Sequence, residues 1–351
     1  MTDNNIDELP EEHDETFEYH GRLYHRLSRD SRASFVPVDE QESQRLVTMH
    51  SIITMKMGGL IIPEASALRR VLDCGTGNGC WAIDVAQNYP NCEVHAVDVS
   101  TLMMPFGSPP NLFQYQCDLN EPIPYDDGYF DLVQSRMVSG GINANRWNRY
   151  VREIKRILVR RGWVQMMEVY LNAQCPSGDY PGDGALRQWS SKYLAAMSQL
   201  GKDPRAGMRL GAMLRAAGFG SVEETSFELP MCDWPTDPQE RQLGAWNQPN
   251  VSELLESHAL WPLTSRRGLR MPIDEFNELL TNARADASNP TFKPYFSIYV
   301  AIGRAEMRKR WPGWATHPSY IGLVNGEKGT WKKVVGPVLK GDYKSPLSVE
   351  G

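Results

Sequence analysis

The sequence is poor in cysteine and carries none of it in pairs. Six cysteines are spread over 351 residues without C-x-x-C spacing. That excludes a disulfide scaffold, argues for a reducing compartment and leaves no structural zinc or other metal site to expect. No run approaches 18 uninterrupted apolar residues, so neither a spanning helix nor a membrane partner is expected. Met1 to Glu18 has no basic stretch followed by an apolar one, so no secretory signal is expected either. A basic excess is missing too: 37 Lys and Arg against 43 Asp and Glu give −6, and the whole chain offers no reason to bind nucleic acid directly. What is present is 41% hydrophobic and 23% charged residues, the balance of a globular chain that buries a core, which rules out a disordered chain or a coiled coil.

Charge is concentrated at the ends. Residues 1–21 hold eight acids and no Lys or Arg, whereas Arg22, Arg26, Arg29 and Arg32 follow at once. Residues 307–351 carry eight basic residues, three acids and four prolines, with Arg308-Lys309-Arg310 a weak nuclear address. The expected division is an acidic disordered leader (1–21), a folded domain (22–304) and a basic, irregular tail (305–351).

The chemistry starts at residue 68. Leu68 to Asp73 reads as a short apolar strand entering the glycine-rich turn Cys74-Gly75-Thr76-Gly77-Asn78-Gly79, followed by a helical pattern around Trp81, Ile83, Val85 and Ala86 and a second strand, Glu93 to Asp98. Strand, glycine turn, helix and strand form the first unit of a doubly wound parallel sheet. Glycines at 75 and 77 permit a sharp bend and a close backbone approach to a ligand. Asp98 has the position to accept hydrogen bonds from a ribose diol. A dinucleotide fingerprint needs G-x-G-x-x-G/A, but Cys80 occupies its last position. The pattern is instead D-x-G-x-G-x-G with Asp73 at the end of the first strand, where a carboxylate suits the ammonium of an amino-acid moiety. A third strand, Phe113 to Asp118, ends in another acid, placed to accept from an adenine amine while Leu119 offers a backbone N–H.

Three strand ends with Asp73, Asp98 and Asp118 on one sheet edge resemble the class I S-adenosylmethionine-dependent methyltransferases. Further strands are expected at Phe130–Arg136, Gly162–Val169, Ser221–Leu229 and Tyr295–Ile302, which makes a Rossmann-like α/β fold with a seven-stranded, mostly parallel sheet. Roughly 65 residues separate the last two strands, and helical patterns near 238–260 and 273–286 predict a cap at about 230–294 that encloses the substrate side. The helix motif Pro37, Asp39, Glu42, Arg45, Leu46 and His50, together with Trp234-Pro235-Thr236-Asp237-Pro238, Gly218-Phe219 and Tyr299 to Arg304, resembles the LaeA-type (UMTA) fungal methyltransferases from about Tyr24 to Arg304. Arg160-Arg161-Gly162 departs from the usual Pro-Gly-Gly before the fifth strand. The resemblance implies S-adenosylmethionine as cofactor, held by Asp73, Gly75, Gly77, Asp98, Val99, Asp118, Leu119 and Gln134. It also implies a small-molecule acceptor from fungal secondary metabolism and a cytoplasmic enzyme. The alternative it leaves open is a nuclear regulator of secondary-metabolite gene clusters that works with protein partners.

Methyl transfer from a sulfonium needs positioning and exclusion of water more than it needs a base. No catalytic residue is therefore fixed by the spacing. His50, Arg136 and Glu168 are the candidates in reach, His50 standing beside an apolar stripe of Leu46, Met49, Ile53 and Met57 on a helix that Asp39 and Glu42 are expected to cap as a box. Tyr19, Tyr24, Trp234, Trp246 and Trp261 are expected to pack in the core or cap rather than line a flat substrate, and Cys74 and Cys80 are expected to pack beside the glycine turn.

Overall fold

The computed structural model describes residues 15–63, 68–105 and 107–306; the rest of the leader and nearly all of the basic tail lie outside the described residues. The described chain begins with an antiparallel hairpin, β1 (Thr16–Tyr19) and β2 (Arg22–His25), and continues through the short α1 (Arg26–Asp30) to the long α2 (Glu40–Met57). The boundary expected between residues 21 and 22 falls in the turn of this hairpin. The acidic composition of the leader conceals two aromatic residues, Phe17 and Tyr19, which pack with Tyr24 and Trp261 at ring separations of 4.5–6.1 Å. Their apolar burial holds β1 in place.

The sheet follows in chain order: β3 (Arg70–Cys74), α3 (Cys80–Asn88), β4 (Glu93–Asp98), β5 (Leu112–Gln116), β6 (Phe130–Arg136), α4 (Trp147–Ile157), β7 (Leu158–Gln174), α5 (Ala185–Gln199), α6 (Leu210–Ala216), β8 (Gly220–Pro230), α7 (Pro238–Thr264), α8 (Ile273–Ala287) and β9 (Tyr295–Arg304). Its spatial order is β5-β4-β3-β6-β7-β9-β8, parallel from β5 to β7, with β9 antiparallel to both neighbours. This is the Rossmann-like class I methyltransferase sheet. Strand order reverses between β3 and β6, which opens a crevice at their carboxyl ends.

Alternation along the strands places helices on both faces. Val71 and Leu132 pack with Trp81, Ile83 and Val85 of α3, while Leu72, Cys74 and Val133 pack with Tyr150, Val151 and Ile154 of α4. On the α3 side, Met49, Ile52 and Ile53 of α2 lie against Met167, Ile298 and Val300. Asp39 caps α2 by accepting from the backbone N–H of Glu42 at 3.0 Å. The return half of the expected capping box is replaced, because Glu42 forms a buried ion pair with Arg45 at 2.7 Å and Arg45 reaches Asn250 of α7 at 3.2 Å.

The residues between β8 and β9 form α7 and α8, which share a core with α5: Trp189 is fully buried and its indole N–H donates to the carbonyl of Leu255 at 2.9 Å. Among the described residues, no helix is long and apolar enough to cross a membrane.

Arg160-Arg161-Gly162 marks a shift of register between β6 and β7. Arg161 takes a φ of 67°, a left-handed conformation that disfavours a side chain, and its backbone N–H is held by the carbonyl of Ala305 at 2.7 Å. Glycine at this position would carry no Cβ penalty. Arg161→Gly is expected to stabilise the protein by about 1 kcal/mol, seen as a higher urea midpoint at unchanged slope; a lower midpoint would contradict this account of the turn.

Candidate functional site

The carboxyl ends of β3, β4, β6 and β7, with the residues after β5, face one cavity of about 220 Å³. Its floor is the turn after β3. Gly75 and Gly77 have φ of 72° and 60°, and a Cβ on Gly75 would lie 2.5 Å from Cγ1 of Val138. On Gly77 it would lie 3.2 Å from Cδ1 of Leu46 in α2. Space there exists only because side chains are absent. The turn is tied to β4 through Asp98, whose carboxylate accepts from the backbone N–H groups of Gly77 at 2.9 Å and Ser100 at 3.1 Å. Burial raises the pKa of Asp98, and these N–H donors oppose the rise.

Of the eight residues expected to hold a cofactor, six line the cavity: Gly75, Gly77, Asp98, Val99, Asp118 and Leu119. The Asp118 carboxylate also accepts from the backbone and side-chain amides of Asn120, both at 2.8 Å, which ties the turn after β5. Asp73 and Gln134 are not in the cavity wall. Strand alternation places both on the α3 side of the sheet with Val71 and Leu132. Asp73 is buried below the turn and accepts from the Thr76 hydroxyl at 2.7 Å, and burial lifts its pKa to about 6. The carbonyl oxygen of Gln134 accepts at 2.5 Å from the side-chain amide of Gln165, which in turn holds the segment after α2 through Leu60 and Ile62.

Charged groups line the remaining wall. Glu168, near the middle of the long β7, is 1% exposed, and burial raises its pKa to about 7. Its oxygens accept from the backbone N–H groups of Val138 at 2.9 Å and Ser139 at 3.2 Å. They stabilise the turn that begins at Met137, a non-glycine residue with a φ of 58°. From its ordinary value of 4.5 up to about 7, the folded chain retains a proton on Glu168 that the unfolded chain has lost, so this carboxyl subtracts stability as pH rises through that window.

His50 and Arg136 also reach the cavity. Arg136 can only donate, and two of its nitrogens lie 3.3 Å from Nδ1 of His50. Nδ1 is therefore the acceptor and Nε2–H donates to Asp84 of α3 at 2.8 Å. Burial, and next to it the Arg136 charge acting against the Asp84 hydrogen bond, lower the His50 pKa. Both ring nitrogens are engaged, which argues against His50 as a general base.

A cap was expected over the substrate side, but sequence reasoning missed which side chains wall the cavity. Ala33, Phe35, Val36 and Val38, from the segment between α1 and α2, line the cavity, as do Tyr193 and Met197 of α5 and Leu254 and His258 of α7. Lys202 fastens that segment, donating to the carbonyls of Arg32 at 2.5 Å and Gly141 at 2.6 Å. None of these positions has a sequence signal beyond helical or apolar pattern. Tyr19, Tyr24, Trp234, Trp246 and Trp261 stay out of the cavity wall, and Cys74 and Cys80 are buried.

Residues 71–162 match the methyltransferase domain family. Secondary metabolism regulator LAE1 of Cochliobolus heterostrophus is 32% identical over 252 residues, covering 70% of this chain and 80% of that protein. Secondary metabolism regulator laeA of Monascus pilosus is 30% identical, covering 85% and 80%. The chain belongs to the LaeA family of methyltransferases. A further LaeA relative, from Emericella nidulans and 28% identical over 85% of this chain and 78% of its own length, is named a protein-methionine methyltransferase. Among solved structures the chain is similar to phosphoethanolamine N-methyltransferase 2 of Haemonchus contortus in complex with S-adenosyl-L-methionine, at 17% identity and a TM-score of 0.43, over 75% of this chain and 52% of that one.

As a LaeA-family methyltransferase, this enzyme uses S-adenosylmethionine. Its cavity has the chemistry to accept that cofactor: a turn stripped of side chains, one strand-end carboxylate on each of two neighbouring connections, and apolar walls. Gly75→Ala would place a methyl group against Val138 and force alanine into a left-handed backbone. The expected cost is about 1–2 kcal/mol of stability, with a matching loss of cofactor affinity, measured by denaturant unfolding and calorimetry; unchanged values would show that the turn has room to spare.

Proposed function

We propose that this LaeA-family enzyme transfers a methyl group from S-adenosylmethionine to a small-molecule acceptor of fungal secondary metabolism. The observation that carries this reading is that several elements wall in a partly open cavity. The 31–38 segment, α2, α5 and α7 all border it, so the acceptor must be compact enough to enter a space walled by Phe35, Leu171, Tyr193 and Leu254. When bound, the cofactor supplies an electrophilic methyl on a sulfonium. The chain supplies position and dryness. In this reading Asp98 and Val99 hold the ribose side, Asp118 and Leu119 the adenine side, and Gly75 and Gly77 admit the remainder. Asp73 and Gln134 support the turn and the sheet from beneath.

Glu168 has the position and the proton affinity to receive a proton from an acceptor O–H or N–H group. With a pKa of about 7 it is near half ionised at neutral pH.

A second reading is favoured by the relatives. Several are named regulators of secondary metabolism, and the Emericella nidulans protein is named a protein-methionine methyltransferase. In that reading the acceptor is a thioether side chain of a protein partner, and no proton leaves it. A single methionine side chain also satisfies the size limit set by these walls.

Two experiments test the cofactor reading and the choice of acceptor. Asp98→Asn retains an acceptor for the turn but loses the charge, and is expected to weaken S-adenosylmethionine binding about 10- to 100-fold in calorimetric titration. An affinity equal to wild type would remove Asp98 from the cofactor site. For the acceptor, kcat should rise with pH through about 7 as Glu168 ionises, and Glu168→Gln should slow transfer about 100-fold or more and flatten the profile. A wild-type profile already flat across pH 6–8, with methyl recovered on protein methionine, would sink the small-molecule reading and establish the second.

A further inference from the structure

We propose that Arg136, oriented by His50 and Asp84, is the anion clamp for the methionine carboxylate of S-adenosylmethionine, a role that rests on the cofactor reading above. Arg136 ends β6, beside β3 in the sheet, and so stands next to the glycine turn. Its parity along β6 matches Leu132 and Gln134, which puts its stem on the side of the sheet occupied by α2 and α3. From there the guanidinium reaches the cavity wall.

Among the described residues it has no carboxylate within 4.0 Å, and its hydrogen bonds go only to the neutral acceptor Nδ1 of His50. Burial lowers its pKa; Asp73, Cys80 and Asp84 act in the opposite direction from farther away. A guanidinium in a desolvated wall, with donors left over after His50, is matched to a carboxylate.

The direction of those donors is set by a chain of two further residues. Asp84, 4% exposed, accepts from Nε2–H of His50, which is 3% exposed, and this leaves the lone pair on Nδ1 facing Arg136. The relay also places the clamp at one end of the cavity. His50 is one helical turn beyond Leu46, the residue against Gly77, while Asn78 of the turn donates to the carbonyl of Ser43 at 2.9 Å. Asp118 and Asn120 belong to the opposite end, where Asn120 bonds Gly141 at 3.0 Å. The nucleoside is assigned to that end, so the amino-acid portion of the cofactor falls to the glycine-turn end, within reach of Arg136. His50 and Asp84 are positioning residues: they touch the guanidinium and its partner, not the ligand.

The test compares two ligands that differ only in the carboxylate. S-adenosylmethionine and its decarboxylated analogue are titrated into the full-length protein by calorimetry. Wild type should prefer the carboxylate form, and Arg136→Ala should weaken that form about 10- to 100-fold while leaving the decarboxylated analogue unchanged, which also shows that the variant is folded. Arg136→Lys should recover part of the preference, and His50→Ala should reduce it while retaining affinity for the analogue. If Arg136→Ala keeps the wild-type preference, or loses both ligands equally, the clamp is overturned. If wild type binds neither ligand, the cofactor reading itself fails.

Discussion

Asp98 accepts hydrogen bonds from Gly77 and Ser100 while half-buried at the end of β4, and the cavity depends on that arrangement. A turn built from glycines at positive φ has no side chains to hold its shape and few regular backbone partners. Tying its N–H groups to a carboxylate on the neighbouring strand converts a permissive segment into a fixed floor. Burial works against the charge and the N–H donors work for it. The same oxygens retain unused lone pairs toward the cavity, so one group both shapes the floor and faces what lies on it.

The walls follow from a second constraint, that buried charges need partners. Where α2 meets the inserted α7, Glu42, Arg45 and Asn250 form a hydrogen-bonded seam across two elements about two hundred residues apart in sequence. Where α2 meets α3 and β6, Asp84, His50 and Arg136 form another. Both seams fix α2 over the glycine turn. A helix held by apolar contacts alone could slide by a turn along the sheet, whereas these polar groups accept one register. Burial in turn penalises the charged form of Glu168 more than its N–H donors favour it, which is why its proton affinity lies near neutrality.

Much of the fold was legible before any coordinates. The seven strands, the glycine turn and the inserted helices each left a local signal: apolar runs of strand length, a turn composition, or a 3.6-residue period. The hairpin at Thr16–His25 was not legible, because the eight acids of residues 1–21 dominate the local composition while the hairpin is held by Phe17 and Tyr19 packing on the distant Trp261. At the site, Asp98, Val99, Asp118 and Leu119 follow directly from strand ends, and the structure brings them together. Asp73 on β3 and Gln134 on β6 stay out of the cavity wall because each is engaged inside the fold, Asp73 by the Thr76 hydroxyl and Gln134 by the Gln165 amide, partners that a motif at a strand end does not reveal.

By itself the sequence determined the order of elements, the side-chain-free turn and the acids at the carboxyl edge of the sheet, because each of these is a short-range consequence of residue type. It also placed the chain within reach of a family. Only the tertiary structure decided which side chains the cavity contains. Phe35, Tyr193, Glu168 and His258 come from a connecting segment, a helix, a strand and an insertion that lie far apart along the chain, and only packing brings them to one wall. The roles of His50 and Arg136 were decided in the same way. A histidine on a helix is compatible with a base, a ligand or a strut, and the choice rests on the two neighbours, Asp84 and Arg136, that occupy both of its nitrogens.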